Sequence, residues 1–200
     1  MTARNWYTSL RAWTIANRTD IAVVAAITLL AAVLRLWDLG TVPLGLHGDE
    51  AWTGIDARRI LDEGSIGPYV GSALGQPTGP LYVTSLLFRI MPETTYTIRF
   101  AMAIAGIATI PAAYLCFATM FNRTVAAIAA LFLCVMMWHL HLSRTGFMVV
   151  WWPLAEMLTL WLLWQGFRTR GIWLFLLAGA AHGLGVYTST RTCSSCRCRS

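Results

Sequence analysis

The sequence predicts an all-α polytopic membrane protein, and two observations carry that prediction. Hydrophobic residues make up 57% of the 200 residues and charged residues only 12%, which is about half the roughly 25% of charged residues in soluble domains. Five apolar runs also follow one another along the chain, each close to the length that crosses a hydrocarbon core of about 30 Å. This composition excludes a disordered chain, a coiled coil and a disulfide scaffold.

The five apolar runs are each expected to form a transmembrane helix. They cover residues 21–37, 98–121, 125–139, 147–167 and 171–187. The first run is followed by no small-residue cleavage site, so we interpret it as an anchor and not as a removed signal peptide. Pro111 is expected to kink the second run. The arginines are scattered between the runs instead of clustering on one face, which argues against a nucleic-acid partner.

The distribution of charge predicts the orientation in the membrane. Arginines lie before the first run and in the turns at residues 122–123 and 168–170, whereas residues 38–97 hold seven acidic and three basic residues. By the positive-inside rule the N-terminus is cytoplasmic and residues 38–97 form an outer loop. We expect a multi-pass protein of a bacterial inner (plasma) membrane, with the lipid bilayer as one partner.

The outer loop contains signals for two helices of its own. Residues 50–63 place Arg58 and Asp62 four residues apart, and Gly64 follows as a helix end. Pro80 precedes a second apolar stretch, residues 81–91, which is too short to span a bilayer. Both are expected to lie in the membrane interface, joined by a linker of residues 65–79 that is rich in glycine and proline.

The adjacent acids Asp49 and Glu50 are the strongest chemical feature of the loop. One interpretation is that they cap the helix that follows, because acids are favoured at a helix N-terminus. The other is that one of them is a general base at the lipid surface. Adjacent residues on a helix point about 100° apart, so a single hydroxyl can face only one of the two acids. The second acid would then hold the loop or a metal.

One reaction that a single general base would suit is the transfer of a sugar from a lipid-linked phosphate to a hydroxyl. Such a reaction also needs cations near the leaving phosphate. The donor-phosphate candidates are Arg144, Arg99 and Arg58. Glu156 is a further candidate because an acid inside a membrane span is functional by default, although a structural bond to a neighbouring helix is an equal alternative. His139 and His141 lie two residues apart and diverge on a helix, which argues against a two-histidine metal clamp.

Several short strings resemble the GT-C membrane glycosyltransferases. Residues 43–51, PLGLHGDEA, followed by GIDA at 54–57, resemble the first outer loop of the protein O-mannosyltransferase and lipid A aminoarabinose transferase group, glycosyltransferase family 39 and its relatives. GQPTGPLY at residues 75–82 resembles a later segment of that loop, and GLGVYT at 183–188 resembles the start of a later one. Arg99 and Ser143-Arg144 fit the same pattern.

The resemblance implies an inverting transferase of the EC 2.4 class that uses a polyprenyl-phosphate-linked sugar. It implies Asp49 as the general base, Glu50 as its partner and Arg144 as a donor-phosphate contact. His47 and Gln76 are further candidates, and some relatives have a basic residue near the position of Gln76. The acceptor hydroxyl (on a lipid, a glycan or a protein), the sugar and a divalent metal are left open by the sequence. The rival interpretation is a non-enzymatic transporter or scaffold fragment.

The end of the sequence does not resemble the apolar continuation that the family has. Residues 189–200 are rich in arginine, cysteine and serine, and we expect a frameshifted or truncated product in which residues 1–188 form the N-terminal part of one GT-C-type transmembrane domain. The sequence leaves open whether such a fragment is active alone.

Overall fold

The computed structural model describes residues 18–72 and 75–189, and these form a bundle of α-helices. In chain order the elements are α1 (Arg18–Leu36), α2 (Gly48–Glu63), β1 (Tyr69–Val70), β2 (Gln76–Pro77), α3 (Gly79–Phe88), α4 (Thr95–Met120), α5 (Arg123–Val135), α6 (Met137–Arg144), α7 (Trp151–Thr169) and α8 (Ile172–Ser189). Sheet within the described residues is limited to the two-residue strands β1 and β2, so the all-α prediction is confirmed. The unusual tail lies outside the described residues from residue 190 onward.

Helix α4 is the centre of the bundle. Its 26 residues extend over about 39 Å, which is longer than a hydrocarbon core. Of its most apolar window 61% is buried inside the protein, against 11% for α1. Small residues such as Ala105 and Ala113 on α4 let α1, α5 and α7 approach closely from different sides. These residues are therefore fully buried. The helix continues through Pro111.

The membrane spans were predicted to number five, and the five apolar segments all form helices. Two of the described helices, α1 and α4, are long and apolar enough by themselves to cross a membrane, and the bent pair α5–α6 makes a third. Helix α8 counts among the shorter apolar helices. Helix α7 has 19 residues, but it is not among the described helices that are apolar enough to cross a membrane. Its tryptophans are amphipathic, and it also contains Glu156, Gln165 and Arg168. The polytopic character is therefore confirmed, with fewer certain spans than predicted.

The third predicted span, residues 125–139, is not a continuous helix. It breaks at Met136, and the axes of α5 and α6 differ by 52°. Two arginines donate to backbone carbonyls at this place, Arg35 from α1 to α5 and Arg144 from α6 to α1. Arg35 Nη1 donates to the Cys134 carbonyl at 3.3 Å, and Arg144 Nη1 donates to the Leu34 carbonyl at 2.7 Å. Because free carbonyls at a helix end need donors, this exchange ties the bend to the end of α1.

The loop helices α2 and α3 pack against each other and against α4. Phe88 of α3 joins Ala57 of α2 and Ile98 of α4 in one cluster of buried residues. Helix α2 begins at Gly48, two residues earlier than predicted, and Gly64 ends it as predicted. Helix α3 ends at Phe88, three residues earlier than predicted. The linker was expected to be irregular, but β1 and β2 pair antiparallel within it.

The loop of residues 38–97 and several helix ends lie at the same end of the bundle. The Thr78 hydroxyl in the loop lies 2.7 Å from the hydroxyl of Tyr187, near the end of α8. At the opposite end the Trp164 indole donates to the Thr119 carbonyl at 2.9 Å. The helices therefore alternate in direction, and the end of α1, the start of α4, the end of α6 and the start of α7 all lie near the loop.

A close approach of α4 and α6 gives a stability prediction. A β-carbon on Gly106 would lie 2.6 Å from Ser143 Cβ and 3.1 Å from Arg35 Nε. We expect Gly106→Ala to destabilise the protein by about 1–3 kcal/mol, as overpacking usually does. Thermal unfolding in detergent measures the effect. Gly179→Ala in α8 is the matched control, because nothing lies within 4 Å of its β-carbon; equal melting temperatures for the two variants would contradict the close approach.

Candidate functional site

The acid pair lies at the start of α2, where the loop meets the bundle. His47 is the N-cap residue: its Nδ1 accepts the backbone N–H of Asp49 at 3.3 Å. Glu50 completes a capping box, since its Oε2 accepts the backbone N–H of His47 at 3.0 Å. The capping interpretation of the acids therefore holds for Glu50, but the N-cap itself is His47.

Glu50 is buried in an ion pair with Arg99. The Arg99 Nε lies 2.9 Å from Glu50 Oε1 and its Nη2 lies 3.2 Å from Oε2, while the two side chains are 2% and 1% exposed. Arg99 also donates to three carbonyls of the preceding loop, those of Leu39, Pro43 and Gly45. One buried guanidinium thus fixes both Glu50 and the backbone that leads to it.

Asp49 has the opposite environment to its neighbour. Its side chain is 53% exposed, and the nearest ionisable group is His47, whose Nδ1 lies 4.0 Å from Asp49 Oδ2. Within the described residues no arginine forms an ion pair with Asp49. The structure therefore separates the two acids into a buried carboxylate paired with arginine and an exposed one that has no arginine partner.

Arg144 and Arg58, the other two predicted phosphate ligands, also have protein partners. Arg144 donates to the Leu34 and Val42 carbonyls at 2.7 and 3.1 Å. Arg58 Nη1 donates to both oxygens of Glu93, at 2.6 and 2.7 Å. The hydrogen bonds that Arg58 donates to Glu93, and then to Asp62, raise the pKa of its exposed guanidinium above the ordinary value. Each of Arg58, Arg99 and Arg144 thus donates to oxygens of the protein.

Gln76 and Glu156 lie apart from the acid pair. Gln76 is buried, and its Nε2 donates to Asp56 Oδ2 at 2.7 Å; the Ser72 hydroxyl donates to the same oxygen. This cluster ties β2 to the middle of α2. Glu156 is half-buried in α7 and has no hydrogen-bond or ion-pair partner among the residues that the structure describes.

Two residues beside the start of α2, Phe147 and Gly146, were not predicted as site residues from the sequence. The Phe147 ring lies 5.1 Å from the His47 ring, and a β-carbon on Gly146 would lie 2.8 Å from Glu50 Cγ. Gly146 also has a φ of 66°, which favours glycine. The only local signal was a glycine two residues after the last residue of α6. No group of three metal-binding side chains converges within residues 18–72 and 75–189.

Comparisons with known proteins agree with this architecture. The crystal structure of the Archaeoglobus fulgidus oligosaccharyltransferase in its apo form superimposes with a TM-score of 0.62 over 84% of this chain, at 20% identity. The match covers 23% of that protein, so the chain spans about a quarter of its length. No curated protein matches the chain. A family model, described as dolichyl-phosphate-mannose-protein mannosyltransferase, matches residues 75–192.

The family match and the helical architecture identify the chain as a member of the GT-C superfamily of membrane glycosyltransferases. Within that class, the chain belongs to the dolichyl-phosphate-mannose-protein mannosyltransferase family. The recognition made from the sequence is thus confirmed. The acid pair lies before the residues that the family model matches, so the roles of Asp49 and Glu50 stay predictions.

Proposed function

We propose that this chain carries the acceptor-activating part of a glycosyltransferase that uses a polyprenyl-phosphate-linked sugar. The observation that supports the proposal best is the separation of the two acids, with Glu50 locked in a buried ion pair and Asp49 exposed without an arginine partner. A base must reach its substrate and keep a free lone pair, and of the two acids Asp49 meets both conditions.

In the proposed reaction Asp49 accepts the proton of the acceptor hydroxyl. The hydroxyl oxygen forms a bond to the anomeric carbon of the sugar while the bond from that carbon to the phosphate oxygen breaks. The phosphate leaves on the polyprenyl chain with the electron pair, and the anomeric centre is inverted. A phosphate needs little help from an acid to leave, which is why one carboxylate suffices here, in contrast to glycoside hydrolysis with its two.

Glu50 has a different task in this proposal. Its oxygens accept hydrogen bonds from Arg99 and from the backbone N–H of His47, so little capacity is left for a substrate. Together Glu50 and Arg99 hold the start of α2 against α4. We assign them to positioning Asp49, because a carboxylate displaced by 1 Å can lose a large part of its catalytic effect.

The three arginines predicted to bind the donor phosphate have contacts that favour other roles. Arg99 and Arg144 donate to carbonyls of the turn after α1, which both of them hold in place. Arg58 is tied to Glu93 at the surface of the loop. Phosphate binding by these arginines stays a prediction. The acceptor, the bacterial inner membrane and the outer position of the loop remain parts of the proposal as well.

Membrane vesicles that contain the protein test the donor class. We expect label to pass to an acceptor fraction from a polyprenyl-phosphate-linked sugar, and not from the corresponding sugar nucleotide. Lipid, glycan and protein fractions are counted separately, and vesicles without the protein give the background. Transfer from the nucleotide alone, or no transfer from any lipid-linked sugar tested, would contradict the proposal.

A further inference from the structure

His47 is a second polar side chain at the proposed base, and its orientation is fixed from two directions. Its Nδ1 accepts the backbone N–H of Asp49 at 3.3 Å. Its ring lies against the Phe147 ring, with centroids 5.1 Å apart. The imidazole therefore has a preferred position although its side chain is 59% exposed.

The hydrogen bond at Nδ1 determines where the proton of the neutral ring is. A neutral imidazole has one donor and one acceptor nitrogen. Because the Nδ1 of His47 accepts a hydrogen bond, the proton must be on Nε2. Among the described residues no acceptor is bonded to this Nε2–H, which leaves an oriented donor on a side chain that is 59% exposed.

A donor beside the proposed base could bond to either of two substrate groups, the acceptor hydroxyl or the donor phosphate. The Nδ1 of His47 lies 4.0 Å from Asp49 Oδ2, so the ring is beside the proposed base. The nearby arginines are occupied: Arg99 and Arg144 donate to carbonyl and carboxylate oxygens of the protein. If the Nε2–H of His47 donated to the acceptor hydroxyl oxygen, it would lower the nucleophilicity of that oxygen. If it donates to a phosphate oxygen, it stabilises the negative charge that develops there in the transition state.

We infer that the Nε2–H of His47 donates a hydrogen bond to a phosphate oxygen of the lipid-linked sugar donor. The inference rests on the proposed function. No proton is transferred in this contact: the bond strengthens as negative charge accumulates on the phosphate, and Asp49 alone takes the proton of the acceptor. His47 would then be a catalytic residue in addition to the N-cap of α2.

Three substitutions separate the catalytic role from the cap. His47→Asn keeps an acceptor near the position of Nδ1, and asparagine is a preferred N-cap, but the distal donor is lost. His47→Gln places an amide N–H near the position of Nε2 and weakens the cap. His47→Asp keeps the cap and adds a negative charge. His141→Asn, at an exposed histidine on α6, is the matched control.

We expect His47→Asn to lower kcat/KM for transfer by about ten- to a hundredfold, as the loss of a hydrogen bond to a charged group does, without a change in melting temperature. His47→Gln should stay within about tenfold of the wild type, His47→Asp should be the slowest, and His141→Asn should be unchanged. Polyprenyl phosphate, added as the probe, should inhibit His47→Asn more weakly than the wild type. The KM for the acceptor should not change.

Each other outcome has a definite meaning. Wild-type rates in His47→Asn and His47→Asp would overturn the inference while the proposed function stands. A raised KM for the acceptor, with unchanged inhibition by polyprenyl phosphate, would also overturn it by assigning His47 to the acceptor. Absence of transfer in the wild-type protein would contradict the proposed function itself, which distinguishes the two failures.

Discussion

Replacement of Asp49 by asparagine is expected to lower sugar transfer by roughly 10²–10⁴-fold, the usual contribution of a general base. Asparagine has nearly the same shape and is also accepted in the first turn of a helix, so the fold should not change. The loss should appear in kcat, with the KM for the lipid-linked donor changed only a few-fold, because the carboxylate acts on the acceptor proton. Initial rates in membrane vesicles measure both constants.

Asp62→Asn is the matched control for this prediction. Asp62 is on the same helix and its side chain is 58% exposed, close to the 53% of Asp49. It pairs with Arg58 four residues earlier and lies at the far end of α2. Its replacement should leave the rate of transfer unchanged. A nearly normal rate in Asp49→Asn would exclude Asp49 as the base.

Replacement of Arg99 by methionine is expected to have the largest effect on stability. It leaves the Glu50 carboxylate buried without a counter-charge and removes the donors of three loop carbonyls. Breaking a buried ion pair by removal of one partner costs about 3–5 kcal/mol. We therefore expect a clearly lower melting temperature in detergent, and reduced transfer because the loop before Asp49 is no longer held.

Two further variants test this explanation. Arg59→Met removes one partner of an exposed pair with Glu63, and exposed pairs contribute little to stability. It should melt close to the wild type. The double variant Glu50→Gln/Arg99→Met should recover part of the stability lost in Arg99→Met, because no charge is then left buried. Equal melting temperatures for Arg99→Met and the wild type would show that the pair is not buried as described.

The local features of the loop were accessible from the sequence because they depend on residues a few positions apart. Gly64 ends α2 as predicted, and Pro80 lies in the first turn of α3. The apolar runs predicted five helical segments, since burial of apolar surface depends on composition over one stretch of chain. The acid pair was recognised by its residue types, but its division into a buried and an exposed acid was not.

That division depends on contacts between distant parts of the chain. Glu50 meets Arg99, and Arg144 meets carbonyls more than a hundred residues earlier. From the sequence alone these arginines were free cations and therefore candidates for phosphate binding. A guanidinium can donate to a phosphate, a carboxylate or a carbonyl, so its partner is decided by packing and not by residue type alone.

Residue types and their spacing were enough to predict an all-α membrane protein with an acidic pair at the start of a loop helix. The tertiary structure decided which acid is exposed, where the third apolar segment bends and which groups hold the loop. The physical reason is that helix propensity and hydrophobicity act locally, whereas burial of a charge requires a partner from another element. At Asp49 and Glu50 two neighbours in sequence thus acquire opposite environments, and the neighbouring helix α4 makes the difference.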